Sequence, residues 1–162
     1  MATAHTTPAG HRRLLQRLAD SRARYEAICA TNGDAADAGD NSVWHDNFAY
    51  EENQRQMHAA ARVVRDLQRA LQSVVVVQPP ARPDRVALGT TVVLEDQRGV
   101  LHRWSIAGFE DGDPSVGRVS YTAPLARALM GREPGDVVAW RLDGKHVELE
   151  VLSVTPTVED VV

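Results

Sequence analysis

The chain has 162 residues, 43% of them hydrophobic and 25% charged, which is typical of one ordinary domain or two small ones and excludes wholesale disorder. A net charge of −4 argues against a protein that coats DNA, and one cysteine, Cys29, excludes an internal disulfide and a cysteine-based zinc site. No apolar run could span a membrane and residues 1–10 lack a signal-peptide core, so we expect a cytoplasmic protein with no membrane partner.

Two helices are predicted in the first half of the chain. Residues 1–10 are small and polar, and we predict a flexible tail there. A first helix is predicted over about 11–32, ending at Asn32-Gly33, because apolar residues recur at heptad-like spacing. These residues are Leu14, Leu18, Tyr25 and Ile28.

A second helix is predicted over about 43–74. Turn-forming residues dominate 33–42, which we interpret as a connection. The apolar positions of the second helix recur every seven residues, at Tyr50, Met57, Val64 and Leu71. A helix of about 30 residues is about 45 Å long, more than a compact core of this chain would hold. We therefore predict an antiparallel coiled-coil hairpin over 11–77, with an acidic tip at 33–46.

A different periodicity begins after residues 78–84, where prolines predict a linker and a domain boundary. Five short strands bounded by Gly- and Asp-rich turns are predicted beyond it, at Thr90–Leu94, Val100–Gly108, Gly117–Tyr121, Val137–Arg141 and His146–Val154. One short helix fits between them, starting at Pro124 and ended by Gly131. The fold class is therefore α+β: a helical hairpin, then a small antiparallel sheet domain over 85–154, with a frayed tail at 155–162.

The charges are segregated along the chain. Between Tyr25 and Gln54 there is no Lys or Arg, while seven acids give this stretch a charge of −7: Glu26, Asp34, Asp37, Asp40, Asp46, Glu51 and Glu52. Arginines flank it on both sides, among them Arg12, Arg13, Arg17, Arg55 and Arg62. A hairpin with this pattern has a positive shaft and a negative tip. Such a tip suits a cation or a metal-containing cavity, and the shaft suits phosphates or an acidic protein surface. The alternative interpretation is an ordinary solvated face.

A motif in the sheet domain resembles a known family. Residues 118–138 read RVSYTAPLARALMGREPGDVV, similar to the signature S-P-[IL]-A-[RK]-[AG]-L-[LI]-G-[KR]-x-x-G-D of bacterial Gre transcript-cleavage factors. Thr122-Ala123-Pro124 stands where the family has N-S-P. The matching positions are Pro124, Ala126, Arg127, Leu129, Gly131, Gly135 and Asp136. The resemblance covers about residues 11–154, with the same order of helical hairpin, linker and FKBP-like sheet domain.

The resemblance implies a partner and a mechanism. Gre factors seat their C-terminal domain at the rim of the RNA polymerase secondary channel and insert the hairpin through it. Two acids at the tip help to hold the second catalytic Mg²⁺ of the polymerase and position a water that cleaves backtracked RNA. The polymerase supplies most of that site, so the resemblance implies a factor that is not itself an enzyme.

Site residues follow from the same resemblance and the charge pattern. We expect the tip acids Asp34, Asp37, Asp40 and Asp46 to act at the polymerase active centre, near the 3′ end of the nascent RNA. The docking candidates are Pro124, Leu125, Arg127 and Leu129, although at least one of the two leucines is better explained as core. We expect no intrinsic cofactor, Mg²⁺ being shared with the polymerase through Asp40 and Asp46, and a monomer.

The tip departs from the family pattern G-D-L-[SK]-E-N-A-E-Y, whose acids stand three apart. Aligning Gly39-Asp40 with G-D leaves Val43 at the second acid. Aligning residues 46–50 with E-N-A-E-Y places Val43 at the first acid, and we prefer this register because it retains Asn47, Tyr50 and the heptad phase. With a short insertion Asp40 stands in for the first acid, six residues from Asp46 rather than three. Misplacing a catalytic oxygen by about 1 Å costs on the order of 100-fold in rate.

We therefore predict a Gre-like regulator that enters the channel and inhibits or modulates transcription without stimulating cleavage. A cleavage-stimulating factor is the alternative, and an interaction module unrelated to transcription is a third interpretation. Prolyl isomerisation by the sheet domain is disfavoured, since Trp104, Phe109, Tyr121 and Trp140 are better explained as core or docking residues.

Overall fold

The computed structural model describes residues 3–37, 46–142 and 144–158. The chain forms two compact units, one of Leu14–Gln72 and one of Met1–Arg13 with Ser73–Val162. The elements in chain order are β1 (Ala4–Thr6), α1 (Pro8–Asp37), α2 (Asp46–Ser73), β2 (Val74–Val76), β3 (Thr90–Asp96), β4 (Leu101–Ala107), a 3₁₀ turn (Pro114–Val116), β5 (Arg118–Ser120), α3 (Pro124–Leu129), β6 (Val137–Leu142) and β7 (Lys145–Pro156). No helix in the described ranges is long and apolar enough to cross a membrane.

The unit 14–72 is the predicted helical hairpin. Leu14 and Leu18 of α1 are buried against Leu67 of α2. Val64 and Leu71, two of the seven-residue positions, pack on the same cluster. The start of α1 thus meets the end of α2, so the helices run antiparallel. Each buried leucine contributes about 1.5–3 kcal/mol of transfer free energy.

Both ends of α1 differ from their predicted positions. It begins at Pro8 rather than His11, because the Thr7 hydroxyl accepts a hydrogen bond from the Gly10 N–H (3.0 Å) and caps the helix. Pro8 at the first helical position needs no amide partner. At the other end α1 passes Gly33 and reaches Asp37. A glycine inside a helix costs about 1 kcal/mol relative to alanine, which weakens a helix without ending it.

The second unit, called the sheet unit below, holds a five-stranded sheet in the order β5-β4-β3-β7-β6. Every predicted strand overlaps an observed one. The pairs β3–β4, β3–β7 and β6–β7 are antiparallel as expected, whereas β4 and β5 run parallel. α3 packs its two buried residues, Ala126 and Leu129, into the core under the sheet. The other buried core residues are Val86, Val92, Leu94, Ile106, Val138, Leu149 and Val151.

The structure replaces the predicted N-terminal tail with a strand. β1 pairs in parallel with β2, in the register Ala4↔Val74 to Thr6↔Val76, and Thr6 is fully buried. A three-residue strand has too short a pattern to be recognised, and its partner lies seventy residues further on. At the other terminus β7 runs through Pro156, and the Thr157 hydroxyl lies 3.0 Å from that of Thr91, so the predicted frayed tail begins inside a strand.

Candidate functional surfaces

The described part of the predicted acidic tip lies at the end of α1 and at the start of α2. Asp34 and Asp37 are in the last turn of the α1 backbone, and Asp46 is the first residue of α2. Asp40 and Val43 lie outside the described residues. The last turn of α1 carries no basic residue. Acidic residues at a helix C-terminus oppose the helix dipole, whereas an acid at the start of α2 is favoured by it.

The shaft arginines fall into two groups. The side chains of Arg12, Arg17, Arg55 and Arg62 are exposed. Arg55 pairs with Glu52 one helical turn earlier (Nη2 to Oε2, 2.9 Å), an exposed pair of small energetic value. Arg13 differs, because its guanidinium is directed at the sheet domain and bonds Asp111. The structure therefore assigns Arg13 to an intramolecular ion pair.

α3 presents only part of its predicted docking set. Pro124 and Arg127 are exposed, and Leu125 is half-buried against the core. Leu129 has no exposed surface, so it cannot contact a partner while the domain stays folded, and we correct its assignment to core. Met130, one helical turn after Arg127, is 39% exposed and was not singled out from the sequence.

The glycines of the signature shape the turn that carries α3 into β6. Gly131 ends α3 with φ 77° and donates its N–H to Val86 O (2.8 Å). Gly135 has φ 95° and donates to Val151 O (2.7 Å). Asp136 accepts the Glu133 N–H (2.9 Å) on its side chain and so closes the turn. Positive φ explains why glycine stands at both positions, and the motif is in large part an architectural one.

Asp111, in the connection between β4 and β5, carries a buried carboxylate. Its side chain is 3% exposed and accepts two bonds from Arg13, Nε to Oδ1 at 2.7 Å and Nη2 to Oδ2 at 2.6 Å. Arg118 Nε lies 3.7 Å from Oδ1 and donates to the Asp111 carbonyl at 2.8 Å. Because Arg13 and Asp111 are 98 positions apart in the sequence, no local pattern could have revealed this network.

Within residues 3–37, 46–142 and 144–158, no three His, Cys, Asp or Glu side chains are grouped so that they could hold a metal ion. The predicted sharing of Mg²⁺ involves Asp40, which lies outside those ranges, and it stays a prediction.

Comparison with known proteins identifies this fold, with its signature turn, as that of a class of transcription factor. The family model described as "Transcription elongation factor, GreA/GreB, C-term" matches residues 80–156. The transcription elongation factor GreB of Neisseria meningitidis serogroup B is 33% identical over 154 residues, 93% of this chain and 92% of its own. GreA of Desulfovibrio desulfuricans is 30% identical over 148 residues, 90% of each chain. This chain belongs to the GreA/GreB family of transcription elongation factors.

The crystal structure of GreA factor homolog 1 (Gfh1) of Thermus thermophilus aligns with 94% of this chain and 99% of its own length, at 20% identity and a TM-score of 0.45.

Proposed function

We propose that this protein docks its sheet unit on bacterial RNA polymerase, inserts its helical hairpin into the secondary channel, and inhibits or modulates transcription without stimulating RNA cleavage. Membership of the GreA/GreB family supports the polymerase as partner. The hairpin supports insertion, because two antiparallel helices of 30 and 28 residues form a narrow rod. The factor itself carries out no chemistry in this proposal.

The observation that carries the absence of cleavage is the spacing of the tip acids. Asp40 and Asp46 are six residues apart, and Val43 stands between them where the family pattern has an acid. Two-metal hydrolysis needs carboxylate oxygens within a fraction of an ångström of their productive positions. A valine offers no oxygen, and the shorter Asp46 places its carboxylate one methylene closer to the backbone than the glutamate of the pattern.

The charge arrangement supports a role for the tip beyond filling the channel. Acids at the end of α1 act against the helix dipole, and no Lys or Arg occurs from Tyr25 to Gln54 to neutralise them. A positively charged or metal-bearing environment would offset that cost on binding. The exposed shaft arginines, Arg12, Arg17, Arg55 and Arg62, would then face the acidic or phosphate groups of the channel and its RNA.

A transcript-cleavage assay tests this proposal directly. The substrate is a stalled, backtracked elongation complex with labelled RNA, and a Gre cleavage factor serves as positive control. We expect the protein to slow nucleotide addition and to leave the RNA length unchanged. Shortening of the RNA from its 3′ end would instead establish the cleavage-stimulating alternative. Failure to co-purify with core polymerase would favour a module unrelated to transcription.

A gain-of-function variant makes the test sharper. The double substitution Val43→Asp with Asp46→Glu restores two acids three residues apart in the preferred register. If spacing alone prevents cleavage, the variant stimulates RNA shortening by on the order of 100-fold over the wild type. Asp46→Glu alone is the matched control, since it lengthens one acid without adding the second. Equal inactivity of both variants would mean that the tip backbone, rather than the missing acid, prevents cleavage.

A further inference from the structure

Three hydrogen bonds of His5 and Thr6 hold β1 in the sheet unit. The His5 carbonyl accepts the N–H of Phe109 (2.8 Å), and the His5 N–H donates to the Tyr121 hydroxyl (3.1 Å). The Thr6 carbonyl accepts the N–H of Val77 (2.8 Å). β1 is thus bonded on one side to β2 and on the other to the turn that follows β4.

Two glycines allow this close approach. A Cβ at Gly10 would overlap the Thr6 hydroxyl and lie 2.8 Å from Asp111 Oδ2. A Cβ at Gly108 would overlap the same hydroxyl and lie 2.6 Å from the Thr6 Cα. Thr6 is therefore enclosed between the first turn of α1 and the end of β4, with no room for a larger side chain on either side.

The Arg13–Asp111 ion pair holds α1 in the sheet unit about one helical turn after Gly10. Both carboxylate oxygens are used, in the bidentate geometry that arginine makes with carboxylates, and the carboxylate is almost fully buried. Removing Arg13 would leave a buried carboxylate whose remaining cationic neighbour, Arg118, lies 3.7 Å away, and a buried charge with incomplete compensation is destabilising. Residues 4–13, their partner residues in the sheet unit and this ion pair are called the clasp below.

The clasp touches the segment that leads into the docking helix. Tyr121, which bonds His5, directly precedes Thr122-Ala123-Pro124 and the start of α3. Asp111 lies in the turn before β5, and Arg118, the first residue of β5, bonds the Asp111 carbonyl. The clasp therefore joins the beginning of α1, the helix that also carries Asp34 and Asp37, to the strand and turn from which the docking surface is built.

We infer that Arg13 and Asp111 are positioning residues. Their ion pair holds the first turns of α1 in the sheet unit, so that the tip acids are correctly placed at the polymerase active centre when that unit docks on the polymerase. The expected effect on inhibition rests on the proposed function, whereas the clasp itself is a property of the free protein. Opening the clasp should weaken inhibition more than it weakens binding.

Hydrogen exchange on the full-length free protein tests the clasp. The variants are Arg13→Met, which keeps the aliphatic stem, and Asp111→Asn, which leaves the positive charge of Arg13 in place. The N–H groups of Phe109 and Val77 should exchange about tenfold or more faster in both variants, because a hydrogen bond to a charged group is worth a factor of this order. The N–H of Val151, bonded to Asp136 O within the sheet unit, serves as internal reference and should not change.

Two further variants control this measurement. Arg13→Lys keeps the charge without the bidentate fork and should give an intermediate rate. Arg24→Met removes an exposed arginine further along α1 and should change nothing. Unchanged exchange at Phe109 and Val77 in both Arg13→Met and Asp111→Asn would overturn the clasp. Equally accelerated exchange of the Val151 N–H would show that the effect is not local to the clasp, because the whole unit would then be opening.

Polymerase assays on the same variants test the positioning role. For Asp111→Asn we expect the inhibition at saturating protein to fall about tenfold while the dissociation constant changes less than about twofold. Impairment by Arg13→Met but not by Asp111→Asn would show that Arg13 acts as a shaft charge, and would overturn the inference. Unchanged inhibition despite an open clasp, or equal loss of binding and inhibition, would also overturn it. If wild-type protein shows the clasp but no inhibition, the proposed function fails and the clasp stands.

Discussion

The two ends of α1 handle charge in opposite ways. At its start, Arg13 is matched by the buried Asp111, and Gly10 leaves room for the contact. At its end, Asp34 and Asp37 occupy the turn where acids are disfavoured by the helix dipole, in a stretch of sequence without Lys or Arg. The charge at the start of α1 is compensated within the protein, whereas the acids at its end would be compensated by the partner that we propose.

Removing the negative charges of the tip tests the C-terminal end of α1, and we expect this change to have the largest effect on transcription. We expect the quadruple substitution of Asp34, Asp37, Asp40 and Asp46 by Asn to abolish the effect on transcription and to leave the fold intact. In vitro transcription measures the first and circular dichroism melting the second. Glu148→Gln with Glu150→Gln, two exposed acids of β7, is the control that should behave as wild type. Retained inhibition by the quadruple variant would show that filling the channel suffices.

Within α3 the comparison is between a core residue and a surface residue. Leu129→Ala should lower the free energy of unfolding by about 3 kcal/mol, because it leaves a cavity under the sheet. Arg127→Ala should change it by less than about 0.5 kcal/mol and instead weaken polymerase binding. Urea unfolding and a binding titration separate the two. A stability loss at Arg127 as large as that at Leu129 would contradict the assignment of α3's faces.

Gly10→Ala tests the packed start of α1. Helix propensity alone predicts a gain of about 1 kcal/mol. The added methyl would overlap the Thr6 hydroxyl and approach Asp111, so we expect a net loss of about 1–2 kcal/mol instead. Thermal unfolding decides the sign. Ala27→Gly, an exposed change in the same helix, should lose about 1 kcal/mol by propensity alone.

The last prediction concerns the turn between β3 and β4 and is confined to acid pH. The backbone N–H of Val100, followed by the N–H and guanidinium of Arg98, lowers the pKa of Asp96 from 3.8 to about 2, although burial opposes the shift. The unfolded chain takes up this proton first as the pH falls, so the stabilisation is present above about pH 4 and is lost towards pH 2. Urea unfolding between pH 5 and pH 2 should show a shallower pH dependence for Asp96→Asn than for the wild type. Parallel curves would show that Asp96 does not contribute to the acid sensitivity of the fold.

Local periodicity predicted much of this architecture. The heptad positions Leu14, Leu18 and Leu71 do pack together, and each alternating segment after the proline linker is a strand. Both signals arise within a single element, where neighbouring residues report the buried face. Leu129 shows the limit: its place in the signature suggests docking, and only the packing of α3 shows that it is core.

The sequence by itself determined the family, the order of hairpin and sheet, and the altered spacing of the tip acids, because these lie in contiguous motifs. Only the tertiary structure decided that residues 4–13 belong to the sheet unit, that β4 and β5 run parallel, and that Arg13 bonds Asp111. The physical reason is chain separation. A short strand and a single ion pair carry almost no local pattern, and their energy exists only once distant segments have been brought together and water has been excluded from between them.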